Sequence, residues 1–375
     1  MNDKKDTLTI EIKPSFLIIL AVTLLLLVGL VVGLFIVMNR DGDSHLGHGG
    51  AGAPPSAGKT QTTAASSEDI PVINDSTPFS PTLETRSSYK PVASASVVNI
   101  SDAINANNAI LVKVTKDSLV STHEKAADTR IYPASITKVM TLIVACERVT
   151  KTDIDGEVKL EVTQEIAQYA AENDGSGAGL KVGDKYTVED LLYLIAYKSD
   201  TIASMLIAEH IAGSHEAFVA LMNEKAAELG MSGTHFENCT GLYHSNHYST
   251  CRDIAAMMAY ALDNELAYSC LTSYQGRAMT VGGVDCKFYA GWYSGRPGQN
   301  NLGFQDNPSL STVKVLGGKT GYTDESGFTF VTVAQDKDDP TVRYINVMIG
   351  KPKGQGYTAT KFMDDYKNIY NTYAK

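Results

Sequence analysis

A serine three residues ahead of a lysine is a nucleophile with a base in reach when the pair opens a helix. Ser135 and Lys138 have that spacing in Ser135-Ile136-Thr137-Lys138. A hydroxyl attacks poorly until a base takes its proton. On a helix, residues three apart share a face, and the helix N-terminus favours developing negative charge. Spacing alone is not specific, because Ser56/Lys59, Ser87/Lys90 and Ser311/Lys314 share it. Only the copy at Ser135 starts an apolar helical pattern. A second segment, Lys319-Thr320-Gly321, lies between Gly317-Gly318 and Tyr322-Thr323-Asp324. A cation and a hydroxyl at a strand edge, with a glycine allowing close approach, suit a carboxylate ligand. The same residues equally suit an ordinary Gly-rich strand entry. A third segment, Ser199-Asp200-Thr201, is by itself a turn or helix cap.

These segments need a frame. Ala109 to Val114 and Leu119 to Thr122 read as a strand pair around the turn residues Thr115 to Ser118. Ser135 to Val149 carries Ile136, Val139, Met140, Leu142, Ile143 and Val144 at helical spacing. Thr187-Val188-Glu189-Asp190 has the form of a capping box ahead of an apolar run. Ala203 to Ile211, Ala217 to Leu229 and Asp253 to Leu262 read as further helices. Phe328 to Ala334 and Arg343 to Ile349 alternate as strands of a hairpin, and Thr358 to Tyr373 reads as a closing helix. The order strands, helices, strands predicts a sheet built from both chain ends and packed by helices from the middle.

The chain has 375 residues, 43% hydrophobic, enough for a sizeable core in one large or two ordinary domains. Its net charge of −10 argues against nucleic acid as a partner. Five Cys and eight His occur without CxxC or HExxH spacing, so no metal site is expected. Phe16 to Met38 has Thr23 as its sole polar side chain. A helix of that length crosses a hydrocarbon core of roughly 30 Å, and a cleaved signal would have a shorter apolar stretch. Lys4, Lys5 and Lys13 precede the run and Arg40 follows it, which keeps the N-terminus cytoplasmic. The expected organisation is a cytoplasmic tail at 1–15, a transmembrane helix at 16–38, a flexible Gly/Ser/Pro/Ala-rich stalk at 39–88 and a folded domain at 89–375.

In this order the three segments resemble the signature of the penicillin-recognising active-serine enzymes, S-x-x-K, then S-D-N or S-x-N, then K-T-G. The connecting blocks narrow the resemblance to the low-molecular-mass D-alanyl-D-alanine carboxypeptidases. Pro133 to Thr141 is similar to that family's P-A-S-x-T-K-x-M-T block. Ala208 to Ser214, Phe218 to Met231, Phe236 to Leu242, His247 to Asp253 and Gly318 to Gly327 match five further blocks, and together they span about 95–350. The resemblance implies an α/β (α+β) β-lactamase/transpeptidase-like fold. It implies a serine peptidase that removes the terminal D-alanine from peptidoglycan stem peptides through an acyl-enzyme, with β-lactams as covalent inhibitors and no cofactor. Carried over, Ser135 is the nucleophile, Lys138 its general base, and Ser199 passes the proton to the leaving amine. Lys319 and Thr320 hold the terminal carboxylate, with Gly321 and Tyr322 beside them. The backbone N–H groups of Ser135 and Tyr322 form the oxyanion hole.

One position departs from the pattern: the family has Asn where this chain has Thr201, and because a hydroxyl cannot copy an amide's donor and acceptor, Thr201 is expected to steady either the lysine or the bound substrate backbone at best. Two alternatives follow. One is a class A-like β-lactamase, although no E-x-x-L-N pattern follows Thr201. The other is a non-catalytic binder of peptidoglycan or β-lactam. With 54 residues after Gly321, the extra β-domain and C-terminal anchor of many relatives are not expected. The tethered, exported domain suits a cell with peptidoglycan outside a single membrane, or a periplasm. Cys239, Cys251, Cys270 and Cys286 either pair, for instance Cys239 with Cys251, or remain thiols, while Cys146 is expected in the core. His244 and His247 are expected to pack in loops, since Lys138 already supplies a base.

Overall fold

The structure, a computed structural model, describes residues 86–273, 277–288 and 310–375. The chain divides into units Met1–Ile70 and Pro71–Lys375, and every described residue belongs to the second. The expected tail, membrane helix and all but the end of the stalk lie outside the described residues. Among the described residues no helix is long and apolar enough to cross a membrane.

The strands are β1 Val92–Asn99, β2 Asn108–Val114, β3 Leu119–Lys125, β4 Lys159–Glu161, β5 Lys185–Thr187, β6 Arg277–Val281, β7 Val284–Phe288, β8 Val313–Thr323, β9 Gly327–Asp336 and β10 Arg343–Ile349. Six form one sheet in the order β1-β3-β2-β10-β9-β8, while β4-β5 and β6-β7 are separate two-stranded ribbons. The sheet joins both chain ends as the sequence order predicts: β2 lies antiparallel to β10, with Ile110 opposite Val347. β9 and β10 form the expected hairpin, with Val331 opposite Val347. The parallel strand β1, beside β3 with Val92 opposite Val120, was not expected. Its Ala- and Ser-rich sequence carries little strand signal, and its valines Val92 and Val98 are exposed.

The helices are α1 Lys138–Cys146, α2 Lys151–Ile154, α3 Gln164–Glu172, α4 Val188–Lys198, α5 Thr201–Ala212, α6 His215–Glu228, α7 Cys251–Leu262, α8 Glu265–Thr272 and α9 Ala359–Tyr373. Most begin at a side-chain cap. Thr187 accepts from Asp190 N–H ahead of α4, Asp200 from Ala203 N–H ahead of α5, and Thr358 from Lys361 N–H ahead of α9. One expectation needs correction: the single helix from Ser135 to Val149 is a 3-10 turn, Ala134–Thr137, followed by α1 ending at Cys146. Tighter first turns of this kind are common where the chain enters a helix abruptly, and Ala134 enters with φ +49°.

All nine residues of α1 are buried, so it is the central helix of the helical layer. The face of the sheet opposite that layer is closed by α9. The Phe330 ring stacks on Tyr366 at 5.1 Å, and Tyr370 Oη and Thr332 Oγ1 share a hydrogen bond of 2.8 Å. Residues 328, 330 and 332 thus face α9, while Val331 and Val333 point the other way, following the period of two. Burying a Leu or Ile side chain in such a core contributes about 1.5–3 kcal/mol. That is what holds the 3-10 turn at the front of α1 in place.

Candidate active site

The site forms where the front of α1, the start of α5 and the edge strand β8 converge. Ser135 lies in the 3-10 turn and is half-buried. Two glycines let other backbone segments close on that turn. A Cβ on Gly321 would lie 2.8 Å from Ser135 N, and one on Gly241, at φ +75°, would lie 2.0 Å from Ala134 O. Neither position tolerates a side chain. Thr329 Oγ1 on β9 donates to Pro133 O at 3.2 Å, tying the turn to the sheet.

Lys138, the first residue of α1, is 1% exposed. Its Nζ lies 3.5 Å from Ser135 Oγ and donates to Thr240 O at 2.6 Å. Burial pulls this amine down to about 8, against the raising effects of Cys239 and Asp200. Lys319 on β8 is 2% exposed; its Nζ donates to Ser199 Oγ at 3.0 Å and to Thr320 O at 2.7 Å. Burial holds it well below the ordinary lysine range, and Lys138 pushes it lower still. Two buried ammonium groups side by side are costly, so the pocket favours at least one neutral amine near pH 8. A neutral amine next to a serine hydroxyl is a base next to a nucleophile.

Ser199 closes α4 in the left-handed conformation, φ +54°, which turns its hydroxyl towards Lys319. The geometry therefore joins two pairs, Ser135 with Lys138 and Ser199 with Lys319. Thr320 and Gly321 are half-buried, and Tyr322 is 47% exposed beside them on the strand edge.

The D-alanyl-D-alanine carboxypeptidase family profile matches residues 94–353. The chain belongs to that family. It is 33% identical to the D-alanyl-D-alanine carboxypeptidase DacF of Bacillus subtilis over 275 residues, 72% of this chain and 64% of DacF. It is 30% identical to the D-alanyl-D-alanine carboxypeptidase DacC of Escherichia coli over 233 residues, 60% of this chain and 52% of DacC. The chain thus spans less than two thirds of either relative. The fold is similar to the crystal structure of the Streptomyces K15 DD-transpeptidase, with a TM-score of 0.58 and 23% identity, covering 72% of this chain and 96% of that one. These matches do not favour the class A-like β-lactamase reading.

Within this carboxypeptidase family chain, Thr201 does not join the cluster. Its N–H donates to Ser176 O at 2.8 Å, and its Oγ1 is buried without a hydrogen-bond partner among the described residues. Gly175 covers it, and a Cβ there would lie 2.9 Å from Thr201 Oγ1. His247 and His244 behave as the packing expectation has it. His244 is exposed on a loop. His247 is buried; Glu237 N–H donates to its Nδ1 at 3.2 Å, so Nε2 carries the proton and donates to Thr137 Oγ1 at 2.7 Å. Burial pulls its imidazole down to about 3, so it is a neutral strut under the 3-10 turn. All five cysteines are free thiols, so Cys239 and Cys251 do not pair, and Cys146 lies in the core as expected. Among the described residues no group of three or more His, Cys, Asp or Glu is placed to hold a metal ion.

Sequence reasoning missed two contributors. Thr240 enters through its carbonyl oxygen, held by a turn in which Asn238 Oδ1 accepts from Thr240 N–H, Thr240 Oγ1 and Gly241 N–H at 2.7–3.1 Å. The Asn-Cys-Thr-Gly run was the available signal. The second is the loop Gly175 to Ala178. There Ser176 Oγ donates to Ser199 O at 3.0 Å, and Ala178 N–H donates to Asp200 Oδ2 at 2.6 Å. Three alternating glycines at 175, 177 and 179 marked it.

Proposed function

We propose that this chain is a serine D,D-carboxypeptidase that removes the terminal D-alanine of peptidoglycan stem peptides through an acyl-enzyme on Ser135. The observation that carries the reading is the buried Lys138 amine, lowered to about 8 and 3.5 Å from Ser135 Oγ. In this reading neutral Lys138 takes the Ser135 proton as Oγ attacks the carbonyl of the penultimate D-alanine. The backbone N–H groups of Ser135 and Tyr322 stabilise the oxyanion. The C–N bond then breaks, and the proton reaches the departing D-alanine amine by way of Ser199. Water hydrolyses the resulting ester, with Lys138 again as base, and regenerates the serine. Lys319 and Thr320 hold the substrate's terminal carboxylate beside Gly321 and Tyr322. A β-lactam acylates the same serine because its strained amide carbonyl and carboxylate mimic that substrate.

We further propose that residues 16–38 anchor the chain in the cell membrane with the N-terminus cytoplasmic and residues 89–375 outside. The length and apolarity of that run support it. Retention in the membrane pellet through alkaline carbonate washing is expected, with release on deletion of residues 1–38.

The catalytic reading is tested with a fluorescent penicillin and a diacyl-Lys-D-Ala-D-Ala peptide. Label on wild type but not on Ser135→Ala, together with D-alanine release, is the expected result. Rapid loss of label with penicillin hydrolysis would point to a lactamase instead. A folded protein showing neither reaction would overturn the reading.

A further inference from the structure

A buried ammonium needs a compensating charge, and a carboxylate is built into the wall of the site beside Ser199. Asp200 is 1% exposed and immediately follows Ser199, whose hydroxyl receives Lys319. Both of its oxygens are used: Oδ1 accepts from Ala203 N–H at 2.9 Å and Oδ2 from Ala178 N–H at 2.6 Å. Two N–H donors and, among the described residues, no hydroxyl or carbonyl partner suit the ionised form. Gly177 sits against it, since a Cβ there would lie 2.8 Å from Oδ2. A plain helix cap needs one of these oxygens; the second holds the loop that also grips Ser199 through Ser176 Oγ.

We propose that Asp200 is a positioning residue that ties the 175–178 loop over Ser199 and serves as a buried counter-charge for Lys138. The titratable groups facing it or Lys138 are few. Lys138 comes from α1, Lys319 from β8, Cys239 and His247 from the segment between α6 and α7, and Tyr186 from β5. Cys239 and Tyr186 are both pushed up to about 12, and His247 is pulled down to about 3, so all three are neutral at physiological pH. Asp200 is therefore the carboxylate among them. It raises the proton affinity of Lys138, and Lys138 in turn opposes the effect of burial on Asp200. The family asparagine that Thr201 replaces carries no charge.

The inference takes the catalytic use of Lys138 from the proposed function, and its test is arranged to separate the two. Full-length protein carrying lysine labelled with carbon-13 at Cε would be titrated by NMR, with Lys138→Arg identifying the Lys138 resonance. In Asp200→Asn and Asp200→Ser, which both keep a capping oxygen, the Lys138 midpoint should fall by about one pH unit. Asp200→Glu should restore it, and Ser176→Ala should leave it in place while slowing D-alanine release several-fold. The acid limb of kcat/KM should move with the NMR midpoint. An unmoved Lys138 midpoint in folded Asp200→Asn and Asp200→Ser would overturn the proposal and leave Asp200 a cap only. Wild-type protein that releases no D-alanine would count against the proposed function, while the titration would still decide the role of Asp200.

Discussion

Lys319 Nζ and Ser199 Oγ meet at 3.0 Å although 120 positions separate them in the chain. This contact links the edge strand of the sheet to the end of α4, and so closes the site opposite the Ser135–Lys138 pair. Lys319→Ala should therefore remove two things at once, the candidate carboxylate anchor and the partner of Ser199. The expected outcome is a rise in KM together with a fall in kcat of about 10²-fold or more in a D-alanine release assay.

If Lys138 is the base of the proposed mechanism, its buried amine sets the pH dependence of acylation. A base is active when neutral, and this one is lowered to about 8. Penicillin labelling rates should rise about tenfold per pH unit below 8 and level off above it. Flat labelling between pH 6 and 8 in a stopped-time assay would contradict the assignment.

Thr201 Oγ1 is a buried hydroxyl without a partner among the described residues. Such groups cost about 1–3 kcal/mol, and valine has nearly the same shape. Thr201→Val should raise the urea midpoint, by the equivalent of about 1 kcal/mol. Thr201→Asn adds volume where Gly175 already packs, and should lose about 1–3 kcal/mol through overpacking. Denaturant melts of the two variants check both signs.

The close approach at Gly321 makes a sharper demand. Alanine there would bring its Cβ to 2.5 Å from Thr329 Oγ1 and 2.8 Å from Ser135 N. Gly321→Ala should retain the far-UV spectrum but push β8 off the 3-10 turn. Penicillin acylation should fall by on the order of 10²-fold.

His247 predicts an acid-sensitive fold. Its imidazole is lowered to about 3 in the folded chain against about 6.5 unfolded. The unfolded state then binds the extra proton first, so stability is full above pH 6.5 and falls as the pH drops towards 3. The slope is at most about 1.4 kcal/mol per pH unit from this group. His247→Gln should be less stable at pH 7 and show a shallower loss between pH 6.5 and 4.5 in urea melts.

The parts of the site legible in the sequence are those that a short segment specifies by itself. Ser135 and Lys138 share one helical turn, and Lys319 lies inside a Gly-bounded strand, so spacing and composition exposed both. The sheet from two chain ends was readable because its strands alternate strongly, as in Phe328 to Ala334. Thr240 was marked only by its Asn-Cys-Thr-Gly turn, because its own contribution is a backbone carbonyl that any residue type carries. The role of the 175–178 loop depends on where it lands after α4 turns, which local pattern does not encode. Thr201 was placed by position in a motif, whereas packing under Gly175 decided where its hydroxyl went.

The pairing of β2 with β10 has a temporal consequence. The first of these strands is synthesised long before the second, and all of α1 to α8 is made in between. At ordinary elongation rates the interval is on the order of ten seconds or more. Throughout it β2 has an open edge on the side that β10 will occupy, with apolar residues such as Ile110 and Val112 lacking their final neighbours. Lys319 and Gly321 also arrive late, so the two halves of the reactive pocket cannot meet in a partial chain. In the proposed mechanism the pocket stays incomplete until β8 has been made, and guarding that open edge is a task for whatever escorts the unfinished chain.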